Sequence, residues 1–306
     1  MLQDISWLLA THPVYLTGVV LVLGLLVGSF LNVVIHRLPA MLEAEFLADS
    51  VGYLAENRRF PELQLAAQGA AAALGGEASC NLWRPGSHCP ACQAPVRPWQ
   101  NIPLLSFVLL RGRCRACSVA ISPRYPLVEL LCSALFGFLA WQLGWGWPLA
   151  GALLLTAALL ALTFIDIDIQ LLPDCVTLPL LWAGLLFNWH TGLVSLSSAL
   201  LGAVFGYLSL WLVFHVFKLL TGRNGFGYGD FKLLAALGAW LGWGMLPLII
   251  LLSSLAGAVA GMTLLALSKV KRGQEIPFGP YLAVAGWVAL VWGPQIVGGY
   301  LTWLSR

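Results

Sequence analysis

Long apolar runs broken by short polar stretches set the pattern of this chain, and the runs have the length of membrane-crossing helices. The first runs from Val14 to Ile35 and carries Gly18, Gly24 and Gly28, small residues that let a neighbouring helix approach closely. Asn32 near its end predicts an inward-facing polar group, His36 and Arg37 mark emergence into water, and Pro39 is expected to stop the helix. Seven further runs follow a polar stretch: Leu127–Leu143, Leu149–Ile165, Val176–Trp189, Leu196–Phe217, Phe231–Trp243, Met245–Leu267 and Pro280–Leu301. The pattern predicts an all-α integral membrane protein of about eight transmembrane helices. Between helices one and two lies a loop domain, residues 37–124; the first helix occupies 1–36, and a seven-helix membrane domain 125–306.

Composition agrees with a life in lipid. Apolar residues make up 59% of the 306 and charged residues 9%, against about 25% charged in soluble domains, and the mean hydropathy is +0.85. No Lys or Arg precedes the first run, so it lacks the basic start of a cleaved signal peptide and reads as retained. The net charge of +3 says little about partners, and nothing suggests nucleic-acid binding. The placement of the charges says more. Nine of the 16 basic residues fall in 37–124, and the eight-span path puts all but Arg306 on that same side, which the positive-inside rule makes cytoplasmic.

The acids are few, 13 in all. Asp230 closes a run of alternating glycines, Gly225-Phe226-Gly227-Tyr228-Gly229-Asp230, where a loop enters an apolar segment. Asp166 and Asp168 end another run, with Asp174 just beyond and Glu129 inside a third. Asp166 and Asp168 are two apart and point to different helix faces, so neither can pair with the other. The span count delivers Asp230 to the same membrane face. Two carboxylates that face each other share a proton, and such a pair can activate water for peptide-bond hydrolysis. A plainer reading stands beside it: Asp166 and Asp168 as interfacial anchors, and Asp230 as the N-cap of the next helix. Lys232 either pairs with one of these acids or extends its ammonium to the surface.

In the loop domain, Cys89-Pro-Ala-Cys92 and Cys114-Arg-Ala-Cys117 form two C-x-x-C pairs, 21 residues apart. Four thiolates so arranged make the closed tetrahedral cage of a structural zinc ion. Cys132 reads as a small apolar helix residue, while Cys80 and Cys175 receive no role. The five histidines lack ligand spacing and no H-E-x-x-H occurs, which disfavours a metalloprotease.

Together these residues resemble the type IV prepilin peptidase family, the leader peptidase and N-methyltransferase of type IV pilus and type II secretion systems. The resemblance rests on Gly28-Ser-Phe-Leu-Asn32 through Arg37-Leu-Pro39, on Asn81-Leu82 and the cysteine pairs, and on Asn101-Ile-Pro-Leu-Leu-Ser106 and Leu110-Arg-Gly-Arg-Cys114. It continues through Arg124-Tyr-Pro-Leu-Val-Glu129, Asp166 to Asp174, Gly227-Tyr228-Gly229-Asp230 and Pro277-Phe-Gly-Pro280. It implies catalytic aspartates at Asp166 and Asp230, with Gly227, Tyr228 and Gly229 supporting the loop and Asp168 in reserve. It implies cleavage of the basic leader of prepilins and pseudopilins at the cytoplasmic face of the bacterial inner membrane. Methylation of the new N-terminus by S-adenosyl-L-methionine would follow, with pilus or secretion-system components and the lipid bilayer as partners. The L-R-G-x-C element makes Gly112 a candidate for the methyl-transfer site, while Gln100 stands where many relatives appear acidic. Two other classes remain, an ion-coupled transporter using Asp166, Asp230 and Glu129, and a non-catalytic secretion scaffold.

Overall fold

The computed structural model describes residues 2–56, 61–74, 81–97, 102–222, 227–267 and 277–305. Gly225, Phe226, Cys80, Gln100 and Asn101 lie outside the described residues, as do Arg223, Lys269, Lys271, Arg272 and Arg306. Eleven α-helices follow one another among the described residues: α1 Leu2–Thr11, α2 Pro13–Glu56, α3 Pro61–Leu74, α4 Leu105–Leu109, α5 Arg124–Leu143, α6 Trp147–Ile169, α7 Asp174–Thr191, α8 Leu196–Thr221, α9 Tyr228–Leu241, α10 Leu246–Ala266 and α11 Gly279–Leu304. A 3-10 turn, Trp243–Met245, joins α9 to α10. The fold is all-helical, with no β-strand among the described residues.

Among the described residues, six helices are long and apolar enough to cross a membrane: α2, α5, α6, α8, α10 with its preceding turn, and α11. The fourth and sixth expected spans correspond to α7 and α9, which are not among the six. At 14 residues α9 is about 21 Å long, short of the roughly 30 Å of a hydrocarbon core. The expectation that Pro39 ends the first helix is corrected: α2 runs unbroken through Pro39 for 44 residues, about 66 Å. Pro39 removes one hydrogen bond, but it is followed by Ala40, Met41, Leu42, Glu43, Ala44 and Glu45, strong helix formers that carry the helix onward. Helix α6 likewise continues past Asp166 to Ile169.

The chain divides into two compact units, residues 1–28 with 129–306, and residues 29–128. Both boundaries fall inside continuous helices, α2 and α5.

The first unit is organised on α9. Apart from Lys232, every residue from Asp230 to Trp240 is buried, as expected of a helix apolar on all sides. Helix α8 meets it backbone to backbone. Gly202 and Gly206, spaced as small-xxx-small, lie against Gly238 and Leu234, and a Cβ at Gly206 would stand 2.7 Å from the Leu234 carbonyl oxygen. Helix α7 locks on through polar groups. Asn188 Nδ2 donates to the Ala239 and Trp240 carbonyls at 2.8 and 3.0 Å, and Trp240 Nε1 donates to the Leu180 carbonyl at 2.9 Å. Helices α6 and α11 are joined by Trp287 Nε1 donating to Thr156 Oγ1 at 3.2 Å. The start of α2 packs on α5 at Gly24 and Gly28, and Ser133 Oγ donates to the Leu21 carbonyl at 2.8 Å.

In the second unit, Asn32 Nδ2 donates to the Tyr125 carbonyl at 3.0 Å and Arg37 Nη1 to the Asn81 carbonyl at 3.0 Å. The ring of Phe30 lies 6.2 Å from that of Trp83.

Candidate active site and candidate metal centre

Asp166 sits in the last turn of α6 and Asp230 in the first turn of α9, with relative exposures of 5% and 6%. Each carboxylate is held by a glycine N–H. Gly279, the first residue of α11, donates to Asp166 Oδ2 at 3.0 Å, so that carboxylate caps the positive end of a helix. Gly227, at the N-cap of α9, donates to Asp230 Oδ2 at 3.2 Å. This is half of a capping box, because glycine has no side chain to return the bond. The cap reading of Asp230 is therefore correct in part: the carboxylate caps its own helix from the third position rather than from its start.

Leu172 packs against both glycines that neighbour the acids. A Cβ on Gly229 would stand 2.7 Å from Leu172 Cβ, and one on Gly279 would stand 3.2 Å from Leu172 Cδ2 and 2.6 Å from Asp166 Oδ2. The two carboxylates lie within electrostatic reach of one another. Helix α6 ends one turn after Asp166, where Gln170 adopts a left-handed φ of 54° and its N–H returns to the Asp166 carbonyl at 2.9 Å. The turn Leu171-Leu172-Pro173 then leads into α7. At the start of α7, Asp174 binds Lys232 of α9 through both carboxylate oxygens at 2.6 Å, which settles the partner of Lys232 and ties the two loops together.

Asp168 is exposed on the other face of α6, as the two-residue spacing requires. Tyr228 is exposed at its edge and packs its ring 5.4 Å from Phe214 and 5.5 Å from Phe231. Glu129 is buried in α5, where its backbone meets Gly28. Cys132 is a buried helix residue, as read, and Cys175 is exposed. A pair of buried carboxylates on two helix ends can share one proton, with one taking a proton from water and the other giving one to a leaving group.

The four cysteines meet. Their Sγ atoms all lie within 4.8 Å of one another, and Cys89 and Cys117 are 3.8 Å apart. Tetrahedral zinc–thiolate bonds of about 2.3 Å require sulfurs roughly 3.8 Å apart. Two matching knuckles build the cluster. In the first, the Gln93 N–H returns to the Cys89 carbonyl at 2.9 Å, Cys89 N–H donates to Ala94 and His88 bridges Pro95. In the second, Ser118, Cys114, Val119, Arg113 and Ala120 repeat those roles. Gln93 and Ser118 both take a φ of 58°, turning each knuckle back on itself.

Backbone N–H groups of Cys117 and Ala116 bring the Cys114 thiol down to about 6. At Cys117 the Val119 N–H pulls the same way, but desolvation and the thiols of Cys92, Cys114 and Cys89 outweigh it and push that thiol up to about 12. Four thiolates this close repel one another, and a dication removes the conflict. The donor set fits a metal ion held by four sulfurs, with no position open for water.

Gly112 makes the turn between α4 and the second knuckle. Its φ is +66° and its N–H donates to the Phe107 carbonyl at 2.8 Å, next to Arg111 at φ 51°. Its visible role is backbone geometry that a side chain would strain.

Sequence reasoning quoted Gly279 without assigning it a task, and missed Leu172 and Asn188. For Gly279, a glycine just before a helix-opening proline was the available signal. For Leu172 and Asn188 no local signal exists, since their partners are far away in the chain.

Residues 22–143 match the bacterial peptidase A24 N-terminal domain, and residues 153–262 match the type IV leader peptidase family. A prepilin leader peptidase/N-methyltransferase of Stutzerimonas stutzeri is 54% identical over 293 residues, covering 96% of each chain. One of Pseudomonas aeruginosa is 54% identical over 294 residues, again 96% of each. One of Neisseria gonorrhoeae is 50% identical over 291 residues, 93% of each. No solved structure matches the chain.

Proposed function

Because this chain belongs to the type IV leader peptidase family, we propose that it removes the leader of type IV prepilins and pseudopilins and N-methylates the residue so exposed. The observation that carries the peptidase reading is the pair of buried carboxylates, Asp166 and Asp230, each on a glycine N–H at a helix end. In hydrolysis the ionised member takes a proton from water and the resulting hydroxide attacks the scissile carbonyl. The protonated member then gives its proton to the departing amine, and the pair is reset by proton exchange. Helix ends with fixed N–H donors hold both groups without reorganisation. Burial of Asp166 and exposure of Asp168 support Asp166 as the partner of Asp230. Gly227 and Gly229 serve the site through backbone: one supplies the N–H on Asp230, the other admits Leu172.

The membrane domain would be residues 125–306, crossing with the first helix in about eight spans if α7 and α9 lie at membrane depth among longer neighbours. The basic loops favour an inner-membrane enzyme with its sites facing the cytoplasm. Residues 37–124 would form the cytoplasmic domain, where Cys89, Cys92, Cys114 and Cys117 hold zinc. That ion would supply cross-linking of the two knuckles rather than catalysis. Methyl transfer from S-adenosyl-L-methionine is assigned to this domain, with Gly112 shaping the turn beside its arginines.

The test uses full-length protein in detergent with a prepilin, following leader loss by mass and methylation on a pre-cleaved pilin. Asp166→Asn and Asp230→Asn should each lower cleavage by at least about 100-fold while metal content and methylation persist. Normal cleavage by Asp166→Asn would move the role to Asp168. Normal cleavage by both variants would leave a transporter or a non-catalytic scaffold.

A further inference from the structure

Helix α4 has no buried residue, although all but one of its residues are apolar. Leu105, Val108 and Leu109 are 51%, 68% and 66% exposed and follow the i, i+3, i+4 spacing of one helix face, and Ile102, just before the helix, is exposed as well. The chain then reverses through the left-handed pair Arg111 and Gly112, and Arg111 and Arg113 are exposed. Arg113 is fixed by the second knuckle, its N–H on the Leu110 carbonyl at 3.0 Å and its backbone bridged to Ala120. Leu110, Arg111, Arg113, Cys114, Arg115 and Ser118 line an open cavity of about 550 Å³. Between Glu77 and Glu129 the sequence holds six arginines and no acidic residue, so this surface complements an anion. The candidate span α5 opens at Arg124. Leu109 precedes Arg124 by 15 residues, a stretch that can reach at most about 50 Å.

We propose that residues 102–113 form a bilayer-contact surface, with Ile102, Leu105, Val108 and Leu109 entering the interfacial region and Arg111 and Arg113 binding phosphates of anionic lipid headgroups. Apolar side chains flanked by arginine are what an interfacial helix presents to a membrane, and juxtamembrane arginines add attraction to anionic lipid that salt weakens. A soluble polyanion would be met by the arginines but would leave the apolar face wet. This inference does not depend on the peptidase chemistry.

The experiment places the full-length, metal-loaded protein in nanodiscs of phosphatidylcholine with or without phosphatidylglycerol, each with a trace of photoactivatable lipid, and maps labelled peptides by mass. Peptides covering 102–113 should be labelled in phosphatidylglycerol discs. The label should fall at least about fivefold in phosphatidylcholine alone or in an Arg111→Gln/Arg113→Gln variant, on the basis of roughly one such factor per arginine. Arg111→Lys/Arg113→Lys should keep it, and Leu105→Ser/Val108→Ser/Leu109→Ser should lose it. Metal content equal to wild type certifies the fold of each variant. The proposal is overturned if 102–113 stays unlabelled while α10 is labelled, if labelling ignores lipid charge and both arginines, or if S-adenosyl-L-methionine or a second copy of the chain occupies the face instead.

Discussion

Gly279→Ala is a one-carbon change with a calculable effect. The new Cβ would stand 2.6 Å from Asp166 Oδ2, and since real contacts essentially never fall under 3.0 Å the carboxylate must retreat by about 0.4 Å. The same retreat stretches the 3.0 Å hydrogen bond from the Gly279 N–H to about 3.4 Å, outside the normal N–H···O range. The new Cβ cannot shift aside instead, because Leu172 Cδ2 lies 3.2 Å from it. Losing a hydrogen bond to a charged group costs about 1.5–3 kcal/mol, which is about 10- to 100-fold in rate. The loss should appear in kcat with KM little changed, since the perturbation acts on the carboxylate that the proposed reaction uses. Gly298→Ala is the control: it lies on the same helix, its Cβ meets nothing within 4 Å, and it carries the same gain in helix propensity. Equal leader-cleavage rates for the two variants would refute the argument that Gly279 exists to seat Asp166.

Gly238→Ala drives a Cβ into the Gly202 backbone, which cannot rotate aside; a loss of about 1–3 kcal/mol should appear as a lower melting temperature in detergent. Lys232→Met removes the partner of Asp174 in a half-exposed pair, so stability should change by no more than about 1 kcal/mol, while cleavage slows because the two loops are no longer tied. Chelation, or Cys114→Ser, should cut bound metal from about one equivalent to none and raise hydrogen exchange over residues 88–95 and 113–120, leaving exchange in α9 unchanged.

Much of this was legible in the sequence because membrane helices and metal knuckles announce themselves locally. Apolar runs placed α5, α6, α8, α10 and α11 to within a few residues, and paired C-x-x-C spacing named all four thiols. The expectation that Asp166 and Asp230 face each other rested on a count of eight crossings, whereas six helices among the described residues are long and apolar enough to cross. What could not be read was long-range: Gly279 and Asp166 are 113 residues apart, and the Asn188 bonds to α9 join residues 51 and 52 apart. Pro39 misled because a helix-stopping rule is weaker than the helix formers that follow it. Helix α9 read as a span because burial in protein and burial in lipid select the same apolar residues.

The burial of α9 has a mechanical meaning. Asp230 rides on the most enclosed helix of the first unit, so freeing it would require something close to global unfolding. Asp166 lies one turn from a helix end at which Asp168, Gln170 and Leu171 are exposed. The two acids thus form an anvil and a hammer: the first is fixed to the core, and the second is mounted on a short arm anchored by Gly279 and Leu172. Under the proposed function, a substrate would meet one acid fixed to the core and one held at a helix end by the Gly279 N–H.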